Sequence, residues 1–324
     1  MIRNQKDCII QMNLLGKKRI PFLFVLDFEF TCGYVIPLAE IDANECLFFV
    51  KNISNAPKTT HQKRIELLPE PILFETYQKS FDKVQTELQQ GNSFLTNLTF
   101  ETPLKNRADL KDIFLHSHAK YKLWMKNQFV VFSPETFVSI DKNVILTHPM
   151  KGTIDARLPQ AEDLLRNSEK EKAEHYTIVD LLRNDLSKVA KNVEVSRLRY
   201  VEKISAKDKE LLQVSSEIRG VLPADWHSNI GGIFEKLLPA GSVSGAPKPQ
   251  TVQIIKSVEN HQRHFYTGVF GIFDGQKLDS GVMIRFILQK DNALFYKSGG
   301  GITHLSEAEN EYREMIQKIY VPIS

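Results

Sequence analysis

The first half of the chain alternates short continuous apolar runs with helically spaced ones. Phe22–Phe28, broken only by Asp27, and Leu47–Val50 are apolar runs, the pattern of buried strands. Asn52 to Lys63 is polar and contains a proline, and reads as a surface connection. Tyr77 to Gln90 carries Phe81, Val84 and Leu88 at helical spacing, with Gly91 placed to cap its C-terminus. Phe94–Phe100, Phe129–Phe132 and Val144–Thr147 read as further strands.

Glu162 to Ala190 is the longest helical stretch, with a break expected near Asn167-Ser168. Residues 198 to 222 are mixed and give no clear period. Ile230–Leu238 reads as a helix ended by Pro239-Ala240-Gly241, and Thr251–Glu259 as a second short one. Phe265–Phe273 and Leu278–Leu288 flank Asp274-Gly275, a strong hairpin signal, and Leu294–Lys297 forms another strand. A last helix starts near Ser306, where Ser306 and Glu309 have capping-box spacing. No repeat or linker is evident, and the strand–helix alternation of a Rossmann fold is missing. The expectation is an α+β fold with large antiparallel sheets, in one domain over residues 1–324.

Composition changes this picture little. Hydrophobic residues make up 42% and charged residues 25%, as in ordinary soluble globular proteins. The net charge is +3 from 42 basic and 39 acidic residues, with no basic stripe, so no nucleic-acid partner is expected. Cys8, Cys32 and Cys46 are odd in number and lack metal-ligand spacing, which favours a reduced, cytoplasmic protein. No apolar signal region follows Met1, and Pro21–Leu26 is too short to span a bilayer, so no membrane association is expected.

Several side chains carry chemistry. Pro149-Met150-Lys151-Gly152-Thr153 puts a lysine in a turn of low bulk, either as a solvated amine or as a nucleophile. Glu171 and Glu174 are three apart on a helix, and Glu311 and Glu314 repeat the spacing. If the two helices meet, their carboxylates make a hard oxygen site suited to Mg²⁺. Ser298–Gly301 and Gly241–Lys248 each precede a helix and offer backbone N–H groups to an anion, although the second run lacks the P-loop pattern. Arg285 interrupts the apolar run Val282–Ile287, where it either snorkels or meets a carboxylate. Glu135, after Ser133-Pro134, is either a turn carboxylate or a general acid.

Taken in order, these segments resemble the chorismate-utilising enzymes, a family that includes anthranilate, aminodeoxychorismate, isochorismate and salicylate synthases. The resemblance runs from about Gly91 to the C-terminus, through Ser133-Pro134-Glu135, Pro149–Thr153, Glu171–His175, Ile178–Leu186, Pro239–Lys248, Arg263–Gly268, Ile284-Arg285, Gly299–Ile302 and Glu311–Glu314. It implies two large antiparallel sheets packed together with helices outside, and Mg²⁺ bridging the carboxylates to chorismate. Glu174 and Glu314 match direct metal ligands, and Glu171 and Glu311 their supports. Tyr266, Arg285, Gly299 and Gly301 match residues that hold the pyruvyl end of the substrate. Thr153, Ser242, Gly245 and Lys318 match further substrate-binding positions, and Glu135 matches the acid that protonates the departing C4 hydroxyl.

Lys151 and Ser242 are similar to the aminodeoxychorismate synthases, whereas anthranilate synthases usually carry alanine and threonine there. This implies attack of Lys151 on chorismate, with ammonia supplied by a separate glutamine amidotransferase, since the chain lacks the glutaminase elbow. Leu95 stands where water-adding relatives carry a lysine base, which disfavours water addition. The chain departs from the family at Gln213, where a histidine is common. The first 90 residues read as a shortened N-terminal part, without recognisable segments for a regulatory amino acid.

Overall fold

The computed structural model describes residues 1–57, 65–105, 108–167, 169–206 and 209–322. Two antiparallel sheets carry the fold. In the ten-stranded sheet the order is β1 (Arg3–Asn4), β3 (Cys32–Pro37), β2 (Phe22–Leu26), β15 (Val269–Phe273), β16 (Leu278–Val282), β9 (Thr136–Asp141), β10 (Val144–Thr147), β13 (Lys209–Val221) and β11 (Met150–Asp155). The tenth strand, β12 (Lys191–Ala206), pairs with the free side of β13. In the eight-stranded sheet the order is β14 (Gly245–Ala246), β6 (Leu95–Leu104), β18 (Ala293–Ile302), β17 (Phe286–Lys290), β8 (Phe129–Ser133), β7 (Tyr121–Met125), β4 (Cys46–Val50) and β5 (Ile53–Ser54).

Eight helices are described. They are α1 (Gln5–Lys17), α2 (Phe74–Gln89), α3 (Leu110–His116), α4 (Ala161–Asn167), α5 (Glu169–Ser187), α6 (Ile230–Leu237), α7 (Lys248–Val258) and α8 (Ala308–Gln317). The two sheets bury one apolar interface between them, where Leu23, Val25 and Phe270 face Leu123, Phe129 and Val131. The opposite face of the ten-stranded sheet, with Phe22, Phe24 and Val269, packs under α1, α5 and α6. Both faces of β2 are therefore covered, which is why its sequence shows no polar alternation. α3 covers the outer face of the other sheet, α2 and α7 pack against β6, and α8 packs against β18.

Several expectations hold. Gly91, one residue past the cap of α2, takes φ +77°, and its N–H bonds Leu88. The helical stretch breaks into α4 and α5 as expected, although Ser168 itself lies outside the described residues. Of the polar connection Asn52 to Lys63, residues 58–63 also lie outside them.

Other expectations are corrected. Residues 198–222 belong mostly to the long hairpin of β12 and β13, hidden in sequence by the charged residues along its exposed positions. Lys151 lies not in a turn but on β11, where a bulge at Gly152 (φ +75°) shifts the register between Lys151 and Thr153. Leu278–Leu288 is two strands in different sheets, and Arg285 lies at the crossing, at φ +54°. Ser298–Gly301 continues β18 and does not open a helix. The Ser306–Glu309 capping box does not form. Glu307 is the N-cap, Ser306 Oγ donates to Glu311 Oε1 at 2.7 Å, and Glu309 pairs with exposed Arg313. Helix α1 was not expected, though Asn4 caps it and Cys8, Met12 and Leu15 form its buried stripe.

One buried ion pair fixes α5. Lys248 Nζ, at the start of α7, donates to Asp185 Oδ2 at 2.6 Å and to the Leu237 carbonyl at 2.8 Å. Both residues are buried, and burial pushes the Lys248 pKa down against the opposing pull of Asp185. The lysine that superficially resembled a phosphate ligand is thus committed to a helix clamp. Without Lys248, Asp185 keeps the partly exposed Lys188, whose Nζ meets its Oδ1 at 2.8 Å, so Lys248→Met is expected to lower the unfolding free energy by about 2 kcal/mol, the loss of a charged hydrogen bond. Urea denaturation followed by circular dichroism measures this, and an unchanged midpoint would contradict it.

Candidate active site

Two site residues sit where the chain passes between the sheets. Ser133 ends β8 of one sheet and Thr136 opens β9 of the other, so Glu135 lies on the crossing. Arg285 lies on the return crossing between β16 and β17. Hydrogen bonds stitch the two crossings together: Phe132 N donates to the Arg285 carbonyl and Val282 N to the Glu135 carbonyl, both at 3.1 Å. The sequence therefore brings an acid and a guanidinium to the same seam, 150 residues apart by number (285 − 135).

Glu135 is half-buried, and its Oε1 accepts from Ser242 Oγ at 2.5 Å. Ser242 belongs to a short 3-10 turn, Gly241–Val243, that is itself pinned. Arg263 Nη1 donates to the Val243 carbonyl at 2.7 Å, and Ser244 Oγ to the Ala240 carbonyl at 2.9 Å. Arg263 also binds Glu259 through Nε and Nη2 and the Asn97 carbonyl through Nη2. Gly245 has a backbone reason for being glycine: at φ +138° an added Cβ would fall 1.9 Å from the Leu95 carbonyl oxygen. Leu95 itself is buried core, 3% exposed, and offers no base.

The Arg285 side chain is surrounded by tyrosines. Its guanidinium lies 5.3 Å from the Tyr320 ring centroid, and its buried Nε has no hydrogen-bond partner. Burial disfavours its charge, but the hydroxyls of Tyr296, Tyr320 and Tyr266 outweigh that and hold its pKa above the ordinary value. Among the described residues no carboxylate pairs with it, so the bidentate partner that the sequence allows is not found there. Tyr266 is buried, and burial pushes its phenol pKa up, so it stays neutral. Tyr320 and Tyr296 were missed in sequence: Tyr296 reads only as one residue of the strand Leu294–Lys297, and Tyr320 follows the last helix outside any motif.

The two glutamate pairs have unequal surroundings. Glu174 is 6% and Glu311 4% exposed, whereas Glu314 is half exposed. Glu171 Oε2 lies 3.0 Å from where a Cβ on Gly152 would stand, so α5 packs its carboxylate against the β11 bulge. Of Lys151 and Thr153 only the backbone is described; they pair with Val214 and Gln213 of β13. Glu174 lines a cleft of about 580 Å³ with Thr177, Asp180, Phe94 and Thr303–Leu305. Leu305 of that lining is followed in sequence by Ser306, the partner of Glu311. Next to Glu174, His175 is buried and its Nε2 meets Ser216 Oγ at 2.7 Å.

Gly300 is the site glycine that sequence reading passed over in favour of its neighbours. A Cβ there would lie 3.6 Å from Glu311 Oε2, 3.6 Å from Lys318 Nζ and 3.8 Å from Glu314 Oε1. Three charged groups thus converge over a residue with no side chain. Lys318 Nζ also donates to the Gly299 carbonyl at 2.8 Å. Gly299 itself packs too tightly for a side chain, with the Leu98 carbonyl oxygen 2.2 Å from its Cβ position.

Among the described residues no group of three or more His, Cys, Asp or Glu is already gathered as a metal cage. The oxygens over Gly300 nonetheless fit a hard cation such as Mg²⁺, which uses one or two carboxylates and completes its shell with water and an anionic ligand. No described helix is long and apolar enough to cross a membrane.

The double-sheet architecture defines the class. It matches the menaquinone-specific isochorismate synthase of Escherichia coli with a TM-score of 0.72 over 97% of this chain and 80% of that one, at 16% identity, so the fold is that of the chorismate-utilising enzymes. The chain belongs to the chorismate binding enzyme family, whose pattern matches residues 37–324. An uncharacterized PabA-like protein of Pasteurella multocida is 52% identical over 97% of this chain and 98% of its own length. Aminodeoxychorismate synthase component 1 of Escherichia coli is 31% identical over 76% of this chain and 56% of its own. Anthranilate synthase component 1 of Saccharolobus solfataricus is 34% identical, over 67% and 52% respectively.

Gly300→Ala separates fold from site. Its Cβ meets nothing closer than 3.6 Å, so stability should stay within about 0.5 kcal/mol. The methyl group fills the space between the charged groups, so Mg²⁺-dependent chorismate binding should weaken at least tenfold by calorimetry. Unchanged binding would show that the space over Gly300 is not used.

Proposed function

We propose that this chain is the chorismate-aminating component of an aminodeoxychorismate synthase, working as one catalytic unit over its whole length. It would convert chorismate and ammonia to 4-amino-4-deoxychorismate, the precursor of 4-aminobenzoate in folate synthesis. The observation that carries the reading is Lys151 on the bulged strand β11, one residue from the glycine that packs against Glu171. On this reading the lysine supplies the amine for addition to a metal-held substrate.

In this mechanism Arg285, under Tyr266 and Tyr320, receives the pyruvyl carboxylate in place of a carboxylate from the protein. Mg²⁺, held by Glu174 and Glu314 with Glu171 and Glu311 behind them, would screen and fix the ring carboxylate. The neutral amine of Lys151 forms a bond to C2 of chorismate. The conjugated double bonds shift, the C4–O bond breaks, and Glu135 donates the proton with which the hydroxyl leaves as water. Ammonia then bonds to C4, the double bonds shift back, and the lysine departs as a neutral amine once the incoming nitrogen has given up a proton. Ser242, hydrogen-bonded to Glu135, keeps the acid aimed. Thr153, Gly245, Gly299, Gly301 and Lys318 would supply the further substrate contacts. A separate glutamine amidotransferase is the expected ammonia donor.

The test is product analysis. Purified protein given chorismate, Mg²⁺ and an ammonium salt should yield aminodeoxychorismate without pyruvate. Chelation with EDTA should stop turnover, and added Mg²⁺ should restore it. Anthranilate with stoichiometric pyruvate would instead assign the chain to tryptophan synthesis. Lys151→Ala should form no covalent adduct detectable by intact-protein mass spectrometry, and an adduct on that variant would refute the lysine's role.

A further inference from the structure

Lys318 stands four residues after Glu314 on α8, and its Nζ bonds Glu314 Oε1 at 2.6 Å. On an exposed helix such a pair contributes little. Here the ammonium is held from a second direction by the Gly299 carbonyl, and Glu311 Oε2 borders the same space over Gly300. The lysine is only 26% exposed, while Glu311 beneath it is buried. An ammonium ion therefore sits among the hard oxygens that a divalent cation would need.

From this arrangement we infer that Lys318 is an internal counter-ion for the metal site, occupying the Glu314 carboxylate until a divalent cation displaces it. The inference rests on the reading of Glu311 and Glu314 as metal-binding residues. A monovalent and a divalent cation cannot share one carboxylate face without strong repulsion. Metal entry must turn the Lys318 ammonium away from Glu314, and the nearest use for a released cation is the anionic substrate. Metal and substrate then favour each other's binding, because each needs the exchange that the other completes. The device also protects the protein: the carboxylates keep a compensating charge when the metal is absent.

The test counts bound Mn²⁺, as a spectroscopic substitute for Mg²⁺, from the electron paramagnetic resonance signal of the free ion. Without chorismate, Lys318→Met should bind Mn²⁺ about five- to tenfold tighter than the wild type, as expected when a competing cation is removed. Lys318→Arg keeps the charge and should retain affinity near wild type. Chorismate should tighten Mn²⁺ binding in the wild type, and this gain should shrink in Lys318→Met. Lys318→Gln serves as a second neutral variant, and circular dichroism checks that each protein is folded. Equal Mn²⁺ affinity in the wild type and the neutral variants would overturn the counter-ion role while leaving the metal site in place. No Mn²⁺ binding by any of these proteins, even with chorismate, would overturn the metal assignment itself.

Discussion

The apolar interface between the two sheets is the constraint on which the rest of the structure depends. Because that interface excludes polar backbone ends, the chain changes sheets only at the margin, through short irregular segments whose hydrogen bonds are made to one another. Glu135 and Arg285 occupy two such segments, joined by the bonds from Phe132 and Val282. Charged side chains are tolerated there because a crossing residue belongs to neither apolar layer. The site is thus a product of how the sandwich is threaded.

Around that seam the fold adds anchors of opposite sign. Arg263 gathers Glu259, Val243 and Asn97, tying the turn that holds Ser242 to α7 and β6. Lys248 ties α5 to the start of α7 through Asp185. Lys297, 1% exposed, binds Glu101 at 2.9 Å and the Gln262 carbonyl at 2.7 Å, fastening β18 to the segment that leads to Tyr266. Each of these buried cations meets a carboxylate and at least one carbonyl oxygen, which is the condition under which a buried charge is tolerable. Arg285 differs from all three: among the described residues it meets no carboxylate, and tyrosines surround it instead.

The fold class was legible because its central strands are apolar on both faces and its helices space Phe81, Val84 and Leu88 regularly. The β12–β13 hairpin was not, since an extended ribbon with charged exposed positions gives neither period. Arg285 was identified as exceptional, but its place between two sheets was not, because Leu278–Leu288 carries no glycine, proline or other turn signal at Arg285 and reads in sequence as one strand. The glutamate pairs showed their helical spacing, yet their unequal burial comes from tertiary packing that spacing does not encode. Ser306 illustrates the same limit: its position fits a capping box, while the folded chain spends its hydroxyl on Glu311.

The threading of the sandwich has a consequence for the seam. β8 and β17 are hydrogen-bonded neighbours, with Phe286 opposite Val131, and each runs into one of the two crossings. Phe129 and Phe286, one ring from each of these strands, stack with centroids 4.9 Å apart on the face buried between the sheets. The strand register and the core rings therefore hold one pair of strands together, and the acid and the guanidinium depart from that pair as a unit.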